Sequence, residues 1–220
     1  MSRAGISAAG PAGALQRRTP GARTIAGLFT VAIGVGLLAN AGYIQAKALL
    51  AQHLIEQAWQ DNRASGEPTQ RPWSWADTVP VGRIEFVRQR RSMIVLDGDT
   101  GRTLAFGPGL RAGSARPAAA GNSVISAHRD THFAVLRHVA VGDVVRVEGV
   151  DGRMVDYRVD ALDVVDEHDL SVTGQRGRDE LTLVTCWPFD AVQPGGPLRY
   201  VVHAGRIAGS GPRSDLASID

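Results

Sequence analysis

The stretch from Thr24 to Ala46 contains no charged residue over 23 positions and is apolar apart from a few scattered polar side chains. As an α-helix it would be about 34 Å long, which is enough to cross the hydrocarbon layer of a bilayer. Residues 1–23 carry four arginines and no acidic residue. Positive charge before an apolar span favours a cytoplasmic N-terminus. The sequence therefore predicts a membrane anchor followed by a domain outside the cytoplasm.

A cleavable signal peptide is the alternative interpretation of the same stretch. Ala39, Asn40 and Ala41 have the small-x-small form of a cleavage site. The apolar run continues past that point to Ala46, which favours an anchor that is not cleaved after Ala41. Both interpretations send the following domain to the same side of the membrane.

Composition divides the chain into five segments. Lys47–Gln60 has helical composition, and the next twelve residues, up to Pro72, contain the glycine and prolines of a linker. The folded domain is predicted to begin near Trp73. The predicted segments are a basic cytoplasmic tail (1–23), a transmembrane anchor (24–46), a helical stalk and linker (47–72), the folded domain (73–209) and a flexible C-terminal tail (210–220).

Short runs rich in valine and isoleucine, separated by turn residues, follow one another through the folded domain and are typical of β-strands. Thr131–Val139, by contrast, has the apolar spacing of a short helix. Asp97–Gly101 is interpreted as a hairpin turn. Eight strands with short helices predict an all-β fold, a closed eight-stranded antiparallel barrel without exposed sheet edges. The predicted strands are Val81–Arg88, Ser92–Leu96, Arg102–Phe106, Asn122–Ala127, Val144–Glu148, Arg153–Val165, Glu180–Thr185 and Leu198–Ile207.

Cys186 is the only cysteine in the chain. It ends an apolar, β-branched run, and Pro188 prevents that strand from continuing as a central strand. A buried cysteine acting as a small hydrophobic residue is one interpretation. Outside the cytoplasm, however, cysteines usually pair as structural disulfides, so a single thiol there calls for another reason. A catalytic thiol is the functional interpretation, and it requires a base or a cation nearby.

His128 and Arg199 are the residues best placed to serve that thiol. His128 directly follows the predicted strand Asn122–Ala127. Arg199 lies 13 positions after Cys186, a spacing that suits neighbouring antiparallel strands joined by a loop. Nucleophile, acid/base and charged stabiliser are the groups that acyl transfer needs.

These motifs together resemble sortases, which are membrane-anchored cysteine transpeptidases. The resemblance rests on Thr-Leu-Val-Thr-Cys at 182–186, Arg-Tyr-Val-Val at 199–202 and the upstream His128, and it covers roughly residues 73–207. Three further stretches look most like the proteobacterial class GN branch. They are Pro-Trp-Ser-Trp-Ala-Asp at 72–77, Leu-Ala-Phe-Gly-Pro-Gly at 104–109 and Ala-His-Arg-Asp-Thr-His-Phe at 127–133.

The resemblance implies a fold, a reaction and partners. The fold would be the sortase-like β-barrel, held by the anchor in the inner membrane of a Gram-negative cell with the catalytic domain in the periplasm. Cys186 would attack the carbonyl after the threonine of a Leu-Pro-x-Thr sorting signal at the C-terminus of a secreted protein, giving a thioester. His128 would move protons to the leaving amine and from the incoming acceptor amine, and Arg199 would hold the substrate backbone or the oxyanion.

Four further residues are expected to bind substrate or to support the site: Thr185, His132, Asp130 and Trp187. Asp130 is interpreted mainly as a cap of the short helix. His128 and His132 have the spacing of two zinc ligands on a helix, but the glutamate of that protease motif is missing. Asp97–Gly101 resembles the start of a calcium loop without its later ligands. We therefore expect neither a metal nor any other cofactor.

Nucleic acid is not an expected partner, because the chain has a net charge of only +2 and no basic patch with interleaved aromatic residues follows the anchor.

Two other function classes are alternatives to the transpeptidase. An extracytoplasmic β-barrel binding module would use Cys186 only for packing. Another Cys/His peptidase, or an L,D-transpeptidase acting on peptidoglycan, is the second alternative, although the Ser-x-Gly-Cys motif of that family is absent.

Overall fold

The computed structural model describes residues 21–193 and 195–209. Residues 1–20 of the predicted basic tail (1–23) and the whole predicted C-terminal tail (210–220) lie outside these residues. The chain divides into two compact units, residues 1–46 and 47–220. The helices are α1 (Ala22–Ser65), α2 (Gly101–Leu104) and two 3-10 helices, His132–His138 and Leu170–Thr173. The strands are β1 (Pro80–Phe86), β2 (Arg91–Asp97), β3 (Gly109–Leu110), β4 (Asn122–Ser126), β5 (Val144–Gly149), β6 (Met154–Asp166), β7 (Glu180–Trp187) and β8 (Leu198–Arg206).

Helix α1 contains the predicted anchor. From Ile25 onwards it is long and apolar enough to cross a membrane. A signal sequence near the N-terminus meets the same criterion of length and composition, so anchoring stays a prediction. The predicted stalk is the C-terminal part of the same helix, and there Ile55, Trp59 and Asn62 are buried within the compact unit 47–220.

The predicted closed eight-stranded barrel is confirmed, with the strand order β1-β2-β3-β4-β7-β8-β6-β5. Its predicted antiparallel character is wrong for two pairs, because β2 runs parallel to β3 and β4 runs parallel to β7. Parallel neighbours need a long crossover connection. The chain provides one through α2 between β2 and β3, and another through β5 and β6 between β4 and β7.

The predicted strand Arg102–Phe106 is wrong. Its first three residues belong to the short helix α2, which begins at Gly101. Thr100 caps this helix by accepting a hydrogen bond from the backbone N–H of Thr103 at 3.4 Å. Asp97–Gly101 is therefore not a hairpin turn. The two-residue strand β3 takes the place in the barrel that was predicted for Arg102–Phe106. A Cβ atom added to Gly109 of β3 would lie 2.3 Å from the carbonyl oxygen of Gly98. Only glycine fits so close an approach of two backbones.

The core fills the interior of the barrel with the inward-facing residues of the strands. Phe133 and Leu136, on the 3-10 helix His132–His138, are fully buried against it, as the predicted helical spacing requires. Phe133 meets Phe86 of β1 edge to face at 6.3 Å. The helix thereby fixes the segment that begins at His128 against the barrel wall.

Candidate active site

Cys186 and Arg199 are direct partners across β7 and β8. Directly opposed residues of an antiparallel pair place their side chains on the same face. The thiol is free and partly exposed, and the Arg199 side chain is 25% exposed. Both residues line one cleft of about 280 Å³ at the end of these strands. The predicted neighbouring-strand arrangement of the two residues is therefore present in the structure.

His128 reaches the same cleft because β4 and β7 are parallel. Ser126 pairs with Val184, so the C-terminal ends of the two strands lie at the same end of the barrel. His128 is exposed and lines the cleft together with Cys186 and Arg199. The parallel pairing, which the predicted antiparallel barrel lacked, is the feature that brings histidine and thiol to one end of the barrel.

Thr185 fixes the backbone just before His128. Its buried hydroxyl donates to the carbonyl oxygen of Ala127 at 2.7 Å, and the Ala127 N–H donates to the Val184 carbonyl oxygen at 3.2 Å. The carbonyl oxygen of His128 in turn accepts from the N–H of Phe133 at 3.0 Å. The backbone of His128 is therefore tied on one side to the cysteine strand and on the other to the 3-10 helix.

The guanidinium of Arg199 is held by three acceptors. Its Nη1 donates to the carbonyl oxygens of Gly196 at 2.6 Å and of Leu198 at 3.0 Å. Its Nη2 donates to Oε2 of Glu167 at 2.5 Å. The backbone N–H of Glu167 donates to the carbonyl oxygen of Pro197 at 2.7 Å, which fastens Glu167 to the loop that precedes Arg199.

The cleft has charges of both signs. Arg111 and Arg199 supply positive charge, and four acidic residues line the same cleft, from the end of β6, the β6–β7 connection and the segment after β2. Hydrogen bonds from the hydroxyl and the backbone N–H of Ser171 hold the pKa of Asp169 below its usual value, so this carboxylate is ionised at neutral pH. The four acidic residues are Asp99, Asp166, Glu167 and Asp169.

His132 lies apart from the thiol cleft. It is partly buried and lines a second cavity of about 300 Å³ with Arg91, Met93 and Phe106. Burial, and then the charge of His128, lower the pKa of His132 below its ordinary value of 6.5. His132 is consequently neutral at physiological pH, and it lines this second cavity and not the thiol cleft.

Asp130 and Trp187 are near the site in sequence but do not line the cleft. Asp130 is exposed, and the predicted cap is wrong, because Thr131 occupies the N-cap position without a side-chain cap hydrogen bond. The Trp187 ring stacks on Tyr200 at 5.6 Å, and Phe189 packs edge to face against both rings. Trp187 thus anchors the start of the β7–β8 loop.

Two arginines that the sequence analysis did not single out hold that loop from the His128 side. Arg129 is 7% exposed, and its Nη2 donates to the carbonyl oxygens of Ala191 at 3.1 Å and Gln193 at 2.7 Å. Arg137 donates to the Phe189 carbonyl oxygen at 3.0 Å and lies 5.5 Å from the centre of its ring. Their closeness in sequence to His128 was the only sign of this role: Arg129 directly follows His128, and Arg137 lies nine positions after it.

No metal site accompanies these residues in the part of the chain that the structure describes. There, no group of three or more His, Cys, Asp or Glu side chains is placed to hold an ion. The chemistry that the cleft offers is that of a thiol, an imidazole and a guanidinium, which can form and resolve an acyl-enzyme.

Comparison with known proteins identifies relatives of the barrel. The model of the sortase domain matches residues 84–207. Sortase D of Bacillus subtilis (strain 168) is 31% identical over 127 residues, which are 57% of this chain and 63% of that relative. This chain therefore matches less than two thirds of the length of its curated relative.

Solved structures give the same result. The pilus-related sortase C of Group B Streptococcus is 25% identical and superimposes with a TM-score of 0.53 over 58% of this chain and 67% of the other. A sortase D5 transpeptidase of Clostridium perfringens shares the fold, with a TM-score of 0.56 and 20% identity over 71% of this chain and 96% of the other. Since the family model spans more than half of the chain and includes His128, Cys186 and Arg199, this protein belongs to the sortase family of cysteine transpeptidases.

Proposed function

We propose that this chain is a membrane-anchored cysteine transpeptidase that cleaves a C-terminal sorting signal of the Leu-Pro-x-Thr kind in a secreted protein. It transfers the released acyl group to an amine acceptor. The observation that carries the proposal is the convergence of Cys186, His128 and Arg199 on one cleft at one end of the barrel. Membership of the sortase family supports the reaction class.

In the first half-reaction, the Cys186 thiolate, with His128 protonated, attacks the carbonyl carbon of the threonine of the signal. The carbonyl electron pair moves onto oxygen, and a guanidinium N–H of Arg199 stabilises that oxyanion or orients the adjacent substrate backbone. When the oxyanion collapses, the C–N bond breaks and His128 gives its proton to the leaving amine. The products are a thioester on Cys186 and the free C-terminal fragment of the signal.

In the second half-reaction, an acceptor amine attacks the thioester carbonyl. Neutral His128 takes a proton from this amine, the C–S bond breaks, and the thiolate leaves with its charge balanced by the protonated imidazole and Arg199. Water in place of the amine would give hydrolysis. The four carboxylates of the cleft favour a cationic acceptor by simple Coulomb attraction.

The proposed location is the inner membrane of a Gram-negative cell, with the N-terminus in the cytoplasm and the barrel in the periplasm. Support comes from the uncharged run Thr24–Ala46 and from the arginines before it. Assignment to the class GN branch is part of the same proposal and rests on the motifs at 72–77, 104–109 and 127–133.

A fluorogenic peptide containing Leu-Pro-x-Thr tests the reaction directly. Wild-type enzyme should cleave it, and Cys186→Ala should reduce the rate to background, because the acyl-enzyme cannot form. Equal rates for the two proteins would overturn the proposal. The mass of the adduct trapped on Cys186 identifies the acyl group: a peptide ending in threonine supports a sorting signal, whereas a muropeptide would indicate peptidoglycan as the substrate.

A further inference from the structure

The ladder between β4 and β7 ends before the chain reaches His128. Its last pair is Ser126 with Val184. Beyond this pair the chain continues in two separate segments, residues 128–138 and the β7–β8 loop (188–197). Within the described part of the chain, no backbone hydrogen bond joins these two segments. Side chains must therefore hold the histidine segment to the loop.

Two arginines of the histidine segment make the side-chain hydrogen bonds to that loop. Nη2 of Arg129 donates to the carbonyl oxygens of Ala191 and Gln193. Nη2 of Arg137 donates to the carbonyl oxygen of Phe189, and this guanidinium also lies over the Phe189 ring. The two arginines do the same work on the loop but lie at opposite ends of the segment, and only Arg129 directly follows the histidine.

Arg129 is an expensive residue in its position. Its side chain is buried, its partners are carbonyl oxygens and not a carboxylate, and Nη1 has no acceptor among the described residues. Burying a guanidinium without a carboxylate partner costs free energy, so a neutral side chain of similar size would fill the same space at lower cost. What the charged side chain adds is a pair of directed hydrogen bonds from a rigid, planar group.

We propose that Arg129 is a positioning residue for the reaction, which joins the segment after His128 to the loop after the cysteine strand and so sets where the imidazole lies relative to the Cys186 thiol. The inference rests on the proposed transpeptidase function. The His128 carbonyl oxygen already accepts from the Phe133 N–H, which ties this residue to the 3-10 helix. Arg129 supplies the tie on the loop side. Proton transfer needs the imidazole within hydrogen-bond reach of the reacting atoms, so a small displacement of His128 is costly.

Steady-state kinetics of Arg129→Met and Arg137→Met with the fluorogenic sorting peptide test the proposal on the full chain. Methionine keeps much of the length of the side chain and removes every donor. Arg129→Met should lower kcat roughly tenfold or more and change KM less than about twofold, because Arg129 does not line the thiol cleft. Arg137→Met should keep kcat within about threefold of wild type, since it releases the loop without releasing His128. Equal losses of kcat in the two variants would overturn the proposal.

Alkylation of Cys186 by iodoacetamide gives a second readout that needs no peptide substrate. A protonated imidazole near the thiol stabilises the thiolate, so the pH at which the rate rises should shift in Arg129→Met in the same direction as in His128→Ala. It should not shift in Arg137→Met. In a His128→Ala background, Arg129→Met should add no further shift, because Arg129 acts through the histidine.

These outcomes separate the inference from the proposed function. A further shift in the double variant would show that the charge of Arg129 acts on the thiol by itself, and it would overturn the positioning role. If wild-type enzyme does not cleave the peptide but the alkylation pattern is as expected, only the proposed function fails.

A second pair of variants serves if the thermal midpoint shows that Arg129→Met does not fold. Arg129→Lys and Arg137→Lys keep the positive charge, but lysine is one bond shorter than arginine and offers a single nitrogen instead of a planar fork. Only Arg129→Lys should lower kcat, by roughly threefold or more. No difference in kcat between the two lysine variants would then overturn the proposal.

Discussion

The Arg199 guanidinium, which faces Cys186 across two strands, is bound by the carboxylate of Glu167 at 2.5 Å. The same Glu167 is fastened by its backbone N–H to the loop that leads into Arg199. A substrate carbonyl or oxyanion must therefore compete with Glu167 for the Nη2 protons. The pair lies in a half-exposed cleft, where a charge-assisted hydrogen bond contributes on the order of 0.5–1.5 kcal/mol.

Replacing Glu167 by glutamine should lower KM for the sorting peptide and raise kcat/KM roughly two- to tenfold. The amide keeps the size of the side chain but lacks the charge that competes with substrate for Arg199. Steady-state kinetics with the fluorogenic peptide measure the effect. Asp169→Asn is the matched control, since Asp169 lies in the same cleft but bonds to Ser171. A fall in kcat would instead mean that Glu167 positions Arg199 for catalysis.

The ionised carboxylate of Asp143 should stabilise the barrel at neutral pH, and acid should remove this contribution. Hydrogen bonds from Arg88, above all, lower the pKa of Asp143 from 3.8 to about 2, and Gln89 and the Ala140 N–H add to the effect. Because the folded pKa is depressed, the stabilisation is complete above about pH 4 and is lost as the pH falls through 2. Asp143→Asn should lower the free energy of unfolding by about 1 kcal/mol at pH 7.

Denaturant unfolding of both proteins across this pH range checks the expectation. The difference between wild type and Asp143→Asn should shrink between about pH 4 and pH 2. Asp77→Asn is the control, because its pair with Arg102 is exposed on both sides and should contribute almost nothing. A difference that stays constant down to pH 2 would show that the charge of Asp143 is not the source of the stabilisation.

Much of the site followed from the sequence because its parts are local. The spacing of Cys186 and Arg199 on two apolar runs predicts their pairing, and His128 lies at the end of a third run. The position of His128 in the same cleft as Cys186, however, depends on the parallel pairing of β4 and β7. That pairing joins segments almost sixty residues apart, and no local periodicity encodes it.

Two errors have equally physical origins. Arg102–Phe106 follows turn residues and ends in three apolar residues, as a strand could, but the Thr100 cap starts helix α2 at Gly101. The place in the barrel goes to the two-residue strand β3, where Gly109 permits a close approach to Gly98. Two residues are too few for any periodicity. Glu167 lies in an irregular connection, where nothing in the sequence indicates that it will reach Arg199.

The reactivity of Cys186 distinguishes a catalytic thiol from a packing residue. Positive charge near a thiolate stabilises it, so alkylation by iodoacetamide at neutral pH should slow when His128 or Arg199 is replaced by alanine. Either replacement should shift the pH at which the alkylation rate rises, in addition to lowering the rate at neutral pH. His138→Ala is the control, because His138 is exposed and does not line the cleft. Identical profiles in all variants would favour the binding module with a structural cysteine.

Thr182 and Thr185 provide a matched pair on β7 that separates activity from stability. Each buried hydroxyl donates across to the β4 segment, Thr182 to Oδ1 of Asn122 at 2.9 Å and Thr185 to the carbonyl oxygen of Ala127 at 2.7 Å. Valine at either position should lower the free energy of unfolding by about 1–2 kcal/mol. Only Thr185→Val should also lower kcat, roughly tenfold or more, because it loosens the backbone that carries His128. Equal kinetic effects at the two positions would mean that the bond to Ala127 does not position the histidine.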